Sequence, residues 1–372
     1  MKTKSKSKSK NLIRIAGLFI AAILSLCAFS GCNSKKNISI AMIMTEKSRL
    51  QDGTFNQSTY EGIERYAKGR DITYKAYEPE SKSDDDYLQA IKTASENGSE
   101  IIITPGFNFE TSIFTAQDMY PDIHFVLIDG SPNNGKFDET REEKIANNTY
   151  SVLFAEEQAG FLVGYAIVKE GFRNLGFLGG YEYPAVVRFG YGYVQGAEFA
   201  AKELGLAKGE VTIKYDYAGN FTSTPENQSK AASWYNNGIE VIFACGGEMG
   251  YSVMRAAESI PDKWVIGVDT DQSGDSDIVI TSALKMIANA VNLAIESHYD
   301  GAFPGGQMHY LGADVGGIGM ETDNARLKNF TKADYDKIYN MLARNQDNIA
   351  TSIITDISKK ATDLPCEYIL VN

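Results

Sequence analysis

Short apolar runs recur along this chain at intervals that leave little choice of fold. "ISIAMIM" (38–44), "ITYKAY" (72–77), "EIIITPG" (100–106) and "IHFVLIDG" (123–130) each have the length and composition of a buried strand. Amphipathic stretches separate them. One runs from about Gln57, with Tyr60, Ile63, Tyr66 and Ala67 on a single face. Another follows Ser83, a suitable N-cap, with Asp84, Asp85 and Asp86 in its first turn. The same rhythm then restarts. A helix over Phe154–Lys169 leads to "NLGFLGG" (174–180), a helix over Ala185–Leu204, "VTIKYDY" (211–217) and a helix over about Pro225–Asn236. "IEVIFACGG" (239–247), a helix over Tyr251–Ser259, "KWVIGVD" (263–269) and "DIVITSALK" (277–285) complete the second series. Strands that are apolar throughout, rather than alternating, are buried on both faces. The pattern therefore predicts two parallel sheets, each covered by helices on both sides. A length of 372 residues agrees with two such units at ~150 residues each.

Polar residues gather where these strands end. They are Asp52–Asn56, Gly106–Phe107 and Asp129 in the first series. In the second they are Gly180–Phe189, Asn220–Phe221, Gly246–Gly247, Asp269–Gln272 and Lys285. Any one of them is explained by the Gly and Asp that turns require. Their recurrence at nearly every strand points instead to a cleft, because α/β sheets bind ligands beyond the carboxyl ends of their strands. "LQDGTFNQSTYEG" (50–62) then forms part of the rim of that cleft. Nothing in the sequence equips it for catalysis. The histidines, His124, His298 and His309, accompany no nucleophile, and no H-E-x-x-H, G-x-S-x-G or phosphate-loop pattern occurs. "GFLGGYEYP" is glycine-rich without the spacing of a phosphate cradle. Binding is expected, with no cofactor and no metal.

The N-terminus carries a processing signal. A basic start, "MKTKSKSKSKNLIR", precedes an apolar run from Ile15 to Phe29, shorter than the ~20 residues that span a bilayer. The run ends in "AFSGC", which resembles the lipobox of bacterial lipoproteins, although Phe29 stands where that pattern usually has Leu. Residues 1–31 are then a signal peptide, Cys32 the acylated first residue of the mature chain, and 32–37 a polar tether. Acyl chains, palmitate among them, anchor firmly at ~0.8 kcal/mol per buried methylene. The protein is expected on the cell membrane, facing the periplasm or the cell exterior. The signal holds five lysines and one arginine and no acid, so its removal takes the formal charge from −12 to −18. So acidic a charge serves solubility first; it also repels phosphate backbones, which argues against nucleic acid as a partner. Of the remaining cysteines, Cys245 reads as a buried free thiol; a disulfide to Cys366 is the alternative.

Several blocks carry a family resemblance. "GTFNQSTYEG", "SVLFAEEQAGFLVGYA", "LGFLGGYEYPAVVRF", "ACGGEMG" and "VIGVDTDQ" followed by "TSALK" resemble, in order, the signature blocks of the BMP (basic membrane protein) family over nearly all of 38–320. These lipoproteins are similar to purine-nucleoside receptors of ABC transporters. The resemblance implies a type I periplasmic-binding-protein fold, with two doubly wound α/β lobes joined by a hinge of three crossings. The N-terminal lobe is expected over 38–147 with about 277–308, and the C-terminal lobe over 148–276 with about 309–372.

Carried over by position, the resemblance also implies roles for individual residues. Asp52 and Asn56 would meet a base edge, and Phe55 and Phe221 would sandwich the ring, where stacking is worth ~1–3 kcal/mol. Asp269 would accept both hydroxyl protons of a ribose diol. Lys285 would donate to sugar oxygens and balance the acid. Gly246 and Gly247 would let the backbone approach the ligand, with Gly106 and Asp129 at the neighbouring strand ends. Arg188 and Phe189 either line the cleft or pack a helix. Asp271 reads as a turn residue. Glu248 and Met249 depart from the small residues usual after the glycine pair. The implied function is an ABC-transporter receptor that takes a purine nucleoside (inosine, guanosine or adenosine class) to a permease. The alternative is a sensing lipoprotein of the same fold, with riboflavin or a sugar-like ligand and a regulatory role. A nucleoside hydrolase or phosphorylase is disfavoured by the few histidines and the lack of a metal-binding pattern. A DNA-binding regulator would need a helix-turn-helix where the signal peptide stands.

Overall fold

The computed structural model of the chain describes residues 37–45, 55–136 and 138–372. Residues 1–31, expected as a signal peptide, together with Cys32 and Asp52, lie outside the described residues. From Ile40 the elements run β1 (Ile40–Ile43), α1 (Phe55–Ala67), β2 (Tyr74–Tyr77), α2 (Asp84–Glu96), β3 (Ile101–Pro105), α3 (Glu110–Met119), β4 (His124–Ile128) and β5 (Thr149–Phe154). The second series is α4 (Glu156–Glu170), β6 (Asn174–Gly179), α5 (Pro184–Leu204), β7 (Val211–Tyr217), α6 (Pro225–Asn236), β8 (Val241–Cys245), α7 (Met249–Glu258), β9 (Trp264–Asp269) and β10 (Val279–Lys285). Then come α8 (Ile287–Tyr299), β11 (Gln307–Leu311), β12 (Ile318–Met320), α9 (Lys332–Ala343), the single-turn α10 (Ile349–Ser352) and β13 (Ile369–Val371).

Two sheets result. Six strands in the order β11-β5-β4-β3-β1-β2 form the first, all paired in parallel. The second has seven, β12-β10-β9-β8-β6-β7-β13, in which the edge strand β12 runs antiparallel to β10. Every residue of β1, β3 and β8 is buried, as strands covered on both faces require. Local signals act as expected. The Ser83 side chain accepts a hydrogen bond from the Asp86 N–H, and Asp84, Asp85 and Asp86 fill the first turn of α2. Thr224 caps α6 in the same way, with Pro225 opening the helix.

The chain passes between the sheets at Ala155, at Met286 and over Gly312–Gly317. The strands of the first lobe therefore come from 38–154 and 307–311, and those of the second from 174–285 and 318–371. This differs from the boundaries expected at 147/148 and 277–308. Thr149–Phe154 is a strand paired with β4 and β11 in the first sheet, and only Ala155 separates it from α4. Val279–Lys285 stays in the second sheet beside β9, and only after Met286 does the chain return to the first lobe. There α8 lies against α1, with Asn292 Nδ2 donating to the Gly62 carbonyl (2.7 Å) and Arg65 to Asn289 Oδ1 (3.0 Å).

A seam of glycines joins α4 to α5. A Cβ on Gly160 would fall 2.1 Å from the Phe189 carbonyl oxygen, and one on Gly164 2.2 Å from that of Tyr193. From the other side, Gly192 and Gly196 would meet the carbonyl oxygens of Glu157 and Phe161 at 1.9 and 2.1 Å. Only hydrogen fits at such an approach, so the backbones of the two helices are in direct contact. Among the described residues no helix is long and apolar enough to cross a membrane.

Candidate functional site

Strand ends from both lobes converge on one buried ammonium. Lys285 closes β10, and its side chain is only 3 % exposed. Nζ lies 2.8 Å from Asp129 Oδ2 of the first lobe, 3.1 Å from Glu156 Oε1 at the start of α4, and 3.6 Å from Asp269 Oδ1 of the second lobe. Phe55, Phe154 and Phe189 surround it, with ring centroids 5.5–5.6 Å away. Glu156 is fully buried, and its second oxygen accepts a 2.7 Å hydrogen bond from Arg188 Nε. Arg188 in turn stands over the ring of Tyr310.

Asp129 and Asp269 occupy matching places, each directly at the end of a parallel strand with positive φ, 60° and 67°. Aspartate is among the few side chains that adopt this region, so both positions combine a chain reversal with a carboxylate.

Charge in this cluster is unbalanced, since three carboxylates face two cations. Burial raises Asp129 above the ordinary aspartate range, and Lys285 offsets this only in part. Burial also pushes Glu156 upward, but Lys285 and Arg188 together outweigh it and hold the carboxyl low. Burial alone would lower Lys285; Asp129, Glu156 and Asp269 overcome it and keep the ammonium charged. Asp269 is the least compensated. Burial, helped by Asp129 and Glu156 against Lys285, pushes it up to about 6. Its Oδ1 is buried and has only the 3.6 Å ion pair to Lys285, while the side chain as a whole remains 29 % exposed. A closely enclosed carboxylate that still reaches open space is suited to accept hydrogen bonds from a bound molecule.

Aromatic rings stand nearby at the strand ends. Phe221 packs edge-on against Tyr181 (5.2 Å) and Tyr183 (5.6 Å), which stack on each other at 5.4 Å. Phe107, in the turn after β3, meets Tyr183 edge-to-face at 6.3 Å across the two lobes. Phe107, Tyr181 and Tyr183 are each 42–52 % exposed.

The expected site residues divide on this geometry. Asp129, Asp269, Lys285 and Phe55 come together, and Phe221 stands with the tyrosines. Asn56 is only 4 % exposed; its Oδ1 accepts from the Thr45 N–H (3.2 Å) and its Nδ2 donates to Thr45 Oγ1 (2.9 Å). Its amide thus ties the start of α1 to the end of β1. Phe189 is 2 % exposed and packs on Phe243, beneath the lysine; of the two roles open to it, the structure has it packing a helix. Gly246 is required by its neighbours: a Cβ would lie 2.6 Å from Met249 Cε and 2.9 Å from the Gly180 nitrogen. Gly247 (φ 54°) and Gly106 (φ 100°) are turn positions. Glu156, Tyr181 and Tyr183 were not assigned from the sequence. An acid within "SVLFAEEQAGFLVGYA" was the available signal for Glu156, since an ionisable group in so apolar a run needs a partner. Cys245 and Cys366 are both free thiols, Cys245 buried at the end of β8. His124, at the start of β4, has Nδ1 2.7 Å from His298 Nδ1, at the opposite end of the strand from Asp129. Among the described residues no group of three or more His, Cys, Asp or Glu side chains is placed to hold a metal ion.

Comparison with known proteins agrees with this architecture. Residues 39–342 match the Bmp family, described as ABC transporter substrate-binding protein PnrA-like. The chain belongs to this family. It is 28 % identical over 343 residues to the ABC transporter nucleoside-binding protein BmpA of Lactococcus lactis, covering 84 % of this chain and 92 % of the relative. With Basic membrane protein B of Borreliella burgdorferi it shares 30 % identity over 320 residues, 82 % and 88 % of the two chains. A solved ABC-transporter solute-binding protein from Conexibacter woesei superposes with a TM-score of 0.65 at 19 % identity, covering 84 % of this chain and 96 % of the other. The fold is thus of the type I periplasmic-binding-protein kind, with two α/β lobes, and the family is one of binding proteins rather than enzymes.

Proposed function

We propose that this chain is a membrane-anchored receptor, lipidated at Cys32, that closes its two lobes on a purine nucleoside and presents it to an ABC permease. The observation that carries the reading is Asp269: a poorly compensated carboxylate whose Oδ1 has only a 3.6 Å ion pair to Lys285 and whose side chain remains partly exposed, within a setting of aromatic rings. A nucleoside supplies what this arrangement lacks, a diol whose two hydroxyls donate to one carboxylate and a flat base for the rings. Asp269 is assigned to the diol, and Phe55 and Phe221 to the two faces of the base. Asp52, which lies outside the described residues, is assigned to the base edge. Gly106, Asp129 and Gly247 frame the cleft, and Lys285 sets its charge balance. The name of the Lactococcus relative, a nucleoside-binding protein, supports the same ligand class. Contacts from both lobes allow a ligand to bias the closed state.

Isothermal titration with inosine, guanosine, adenosine and riboflavin tests the ligand. Heat with a nucleoside is expected. Silence with all three nucleosides refutes the assignment, and heat with riboflavin alone favours the sensing alternative. Metabolic labelling with palmitate tests the anchor: label should be lost in Cys32→Ala.

A further inference from the structure

We propose that Glu156 and Arg188 are positioning residues for the cleft: they hold the Lys285 ammonium between Asp129 and Asp269 and so determine how Asp269 is offered to a ligand. Three observations support this. Glu156 is fully buried and has one oxygen on each cation, 2.7 Å from Arg188 Nε and 3.1 Å from Lys285 Nζ. Arg188 is thereby the counter-charge that lets a third acid sit beside the lysine. The members also stand at the crossings between the lobes. Glu156 follows Ala155, Lys285 precedes Met286, and Tyr310, under the Arg188 guanidinium, lies just before Gly312. Finally, the lysine is unevenly shared, nearer to Asp129 and Glu156 than to Asp269.

The pull of Glu156 on Lys285 leaves Asp269 short of positive charge. Neutralising Glu156 returns the ammonium to the two aspartates and removes a negative neighbour, so Asp269 ionises more readily. Neutralising Arg188 does the reverse, because Glu156 then depends on Lys285 alone and its charge is felt undiluted at Asp269. The groups acting on Asp269 are Lys285 from β10, Asp129 from the end of β4, Glu156 from α4, the Cys245 thiol from β8 and, through Glu156, Arg188 from α5. Two substitutions in one buried cluster should thus displace the same titration in opposite directions. General loosening of the structure would not do so.

The test is a carbon-13 NMR titration of the aspartate carboxyls in the full chain without ligand, with the Asp269 signal identified by its absence in Asp269→Asn. Glu156→Gln should lower the midpoint and Arg188→Gln should raise it, each by about one pH unit. Any result other than opposite displacement overturns the proposal. If either variant is too unstable to titrate, the neutral apolar replacements Glu156→Met and Arg188→Met take their place, with the same signs. Only the link to ligand presentation rests on the proposed function. Inosine titrations from pH 5 to 8 should follow the displaced midpoints. If inosine fails to bind any form, the nucleoside reading falls while the carboxyl titration still decides the positioning role.

Discussion

Replacing Asp269 with asparagine should make the ligand-free protein more stable and its cleft useless. The carboxyl titrates at about 6 in the folded chain, against 3.8 for an ordinary aspartate. A raised carboxyl means that the folded state holds a proton the unfolded chain has released, so stability falls as pH rises through this interval. Below about pH 4 both states are protonated and nothing is lost; above about pH 6 the penalty is complete. Two pH units correspond to about 3 kcal/mol. Asparagine removes the charge, keeps nearly the same shape and tolerates the left-handed backbone at this position (φ 67°). The gain in Asp269→Asn should therefore approach about 3 kcal/mol at pH 7.5 and vanish near pH 4. Urea unfolding followed by tryptophan fluorescence reports on the right lobe, since Trp234 and Trp264 both belong to the second. An equal or lower stability at pH 7.5, or a gain independent of pH, would refute the account of Asp269 as a poorly compensated buried charge. Nucleoside binding should be lost in the same variant, because an amide cannot accept two hydroxyl protons at one charged group.

Other substitutions test the surrounding structure. Lys285→Met leaves three carboxylates without their shared cation, and urea unfolding at pH 7.5 should show a loss of about 3–5 kcal/mol; the deficit should shrink below about pH 6 as the acids take up protons. Gly164→Ala drives a Cβ into the Tyr193 carbonyl at 2.2 Å, and calorimetry should show a loss at the upper end of the ~1–3 kcal/mol usual for overpacking. Tyr183→Ala removes the ring that meets Phe107 across the lobes; stopped-flow release of bound inosine should quicken about 2- to 10-fold, matching ~0.5–1.5 kcal/mol for an aromatic pair, while Tyr183→Phe stays near wild type.

Much of this architecture was legible in the sequence because parallel strands have an unmistakable composition and end in turn-forming residues. Asp129, Asp269 and Lys285 could be located at strand ends from "IHFVLIDG", "KWVIGVD" and "DIVITSALK", and the structure brings the three together. Which way a side chain turns was less accessible. Asn56 follows the first strand as a cleft residue should, but Thr45 eleven residues earlier engages its amide. Phe189 shares its helix turn with Arg188 and still faces the core, a matter of helical phase that a polar–apolar pair leaves open. β5 was concealed because its last residue, Phe154, also fits the apolar face of the helix that starts two residues later, and a single residue, Ala155, separates the two elements. β12 and β13, only three residues each, gain their definition from the strands they join, β10 and β7. Gly246 was placed correctly at a strand end, and packing against Gly180 and Met249 accounts for the glycine.

The three crossings have a consequence for how the chain folds. β11 pairs with β5, joining Gln307 to Tyr150 and Leu311 to Phe154, although most of the second lobe lies between them in sequence. The first sheet therefore stays incomplete, with β5 as an open edge, until that intervening chain has been made and its ends brought together. Pairings of such sequence separation form slowly. The topology that links the two lobes thus also sets the pace of folding, and until β11 arrives β5 is where a foreign strand would be most readily accepted.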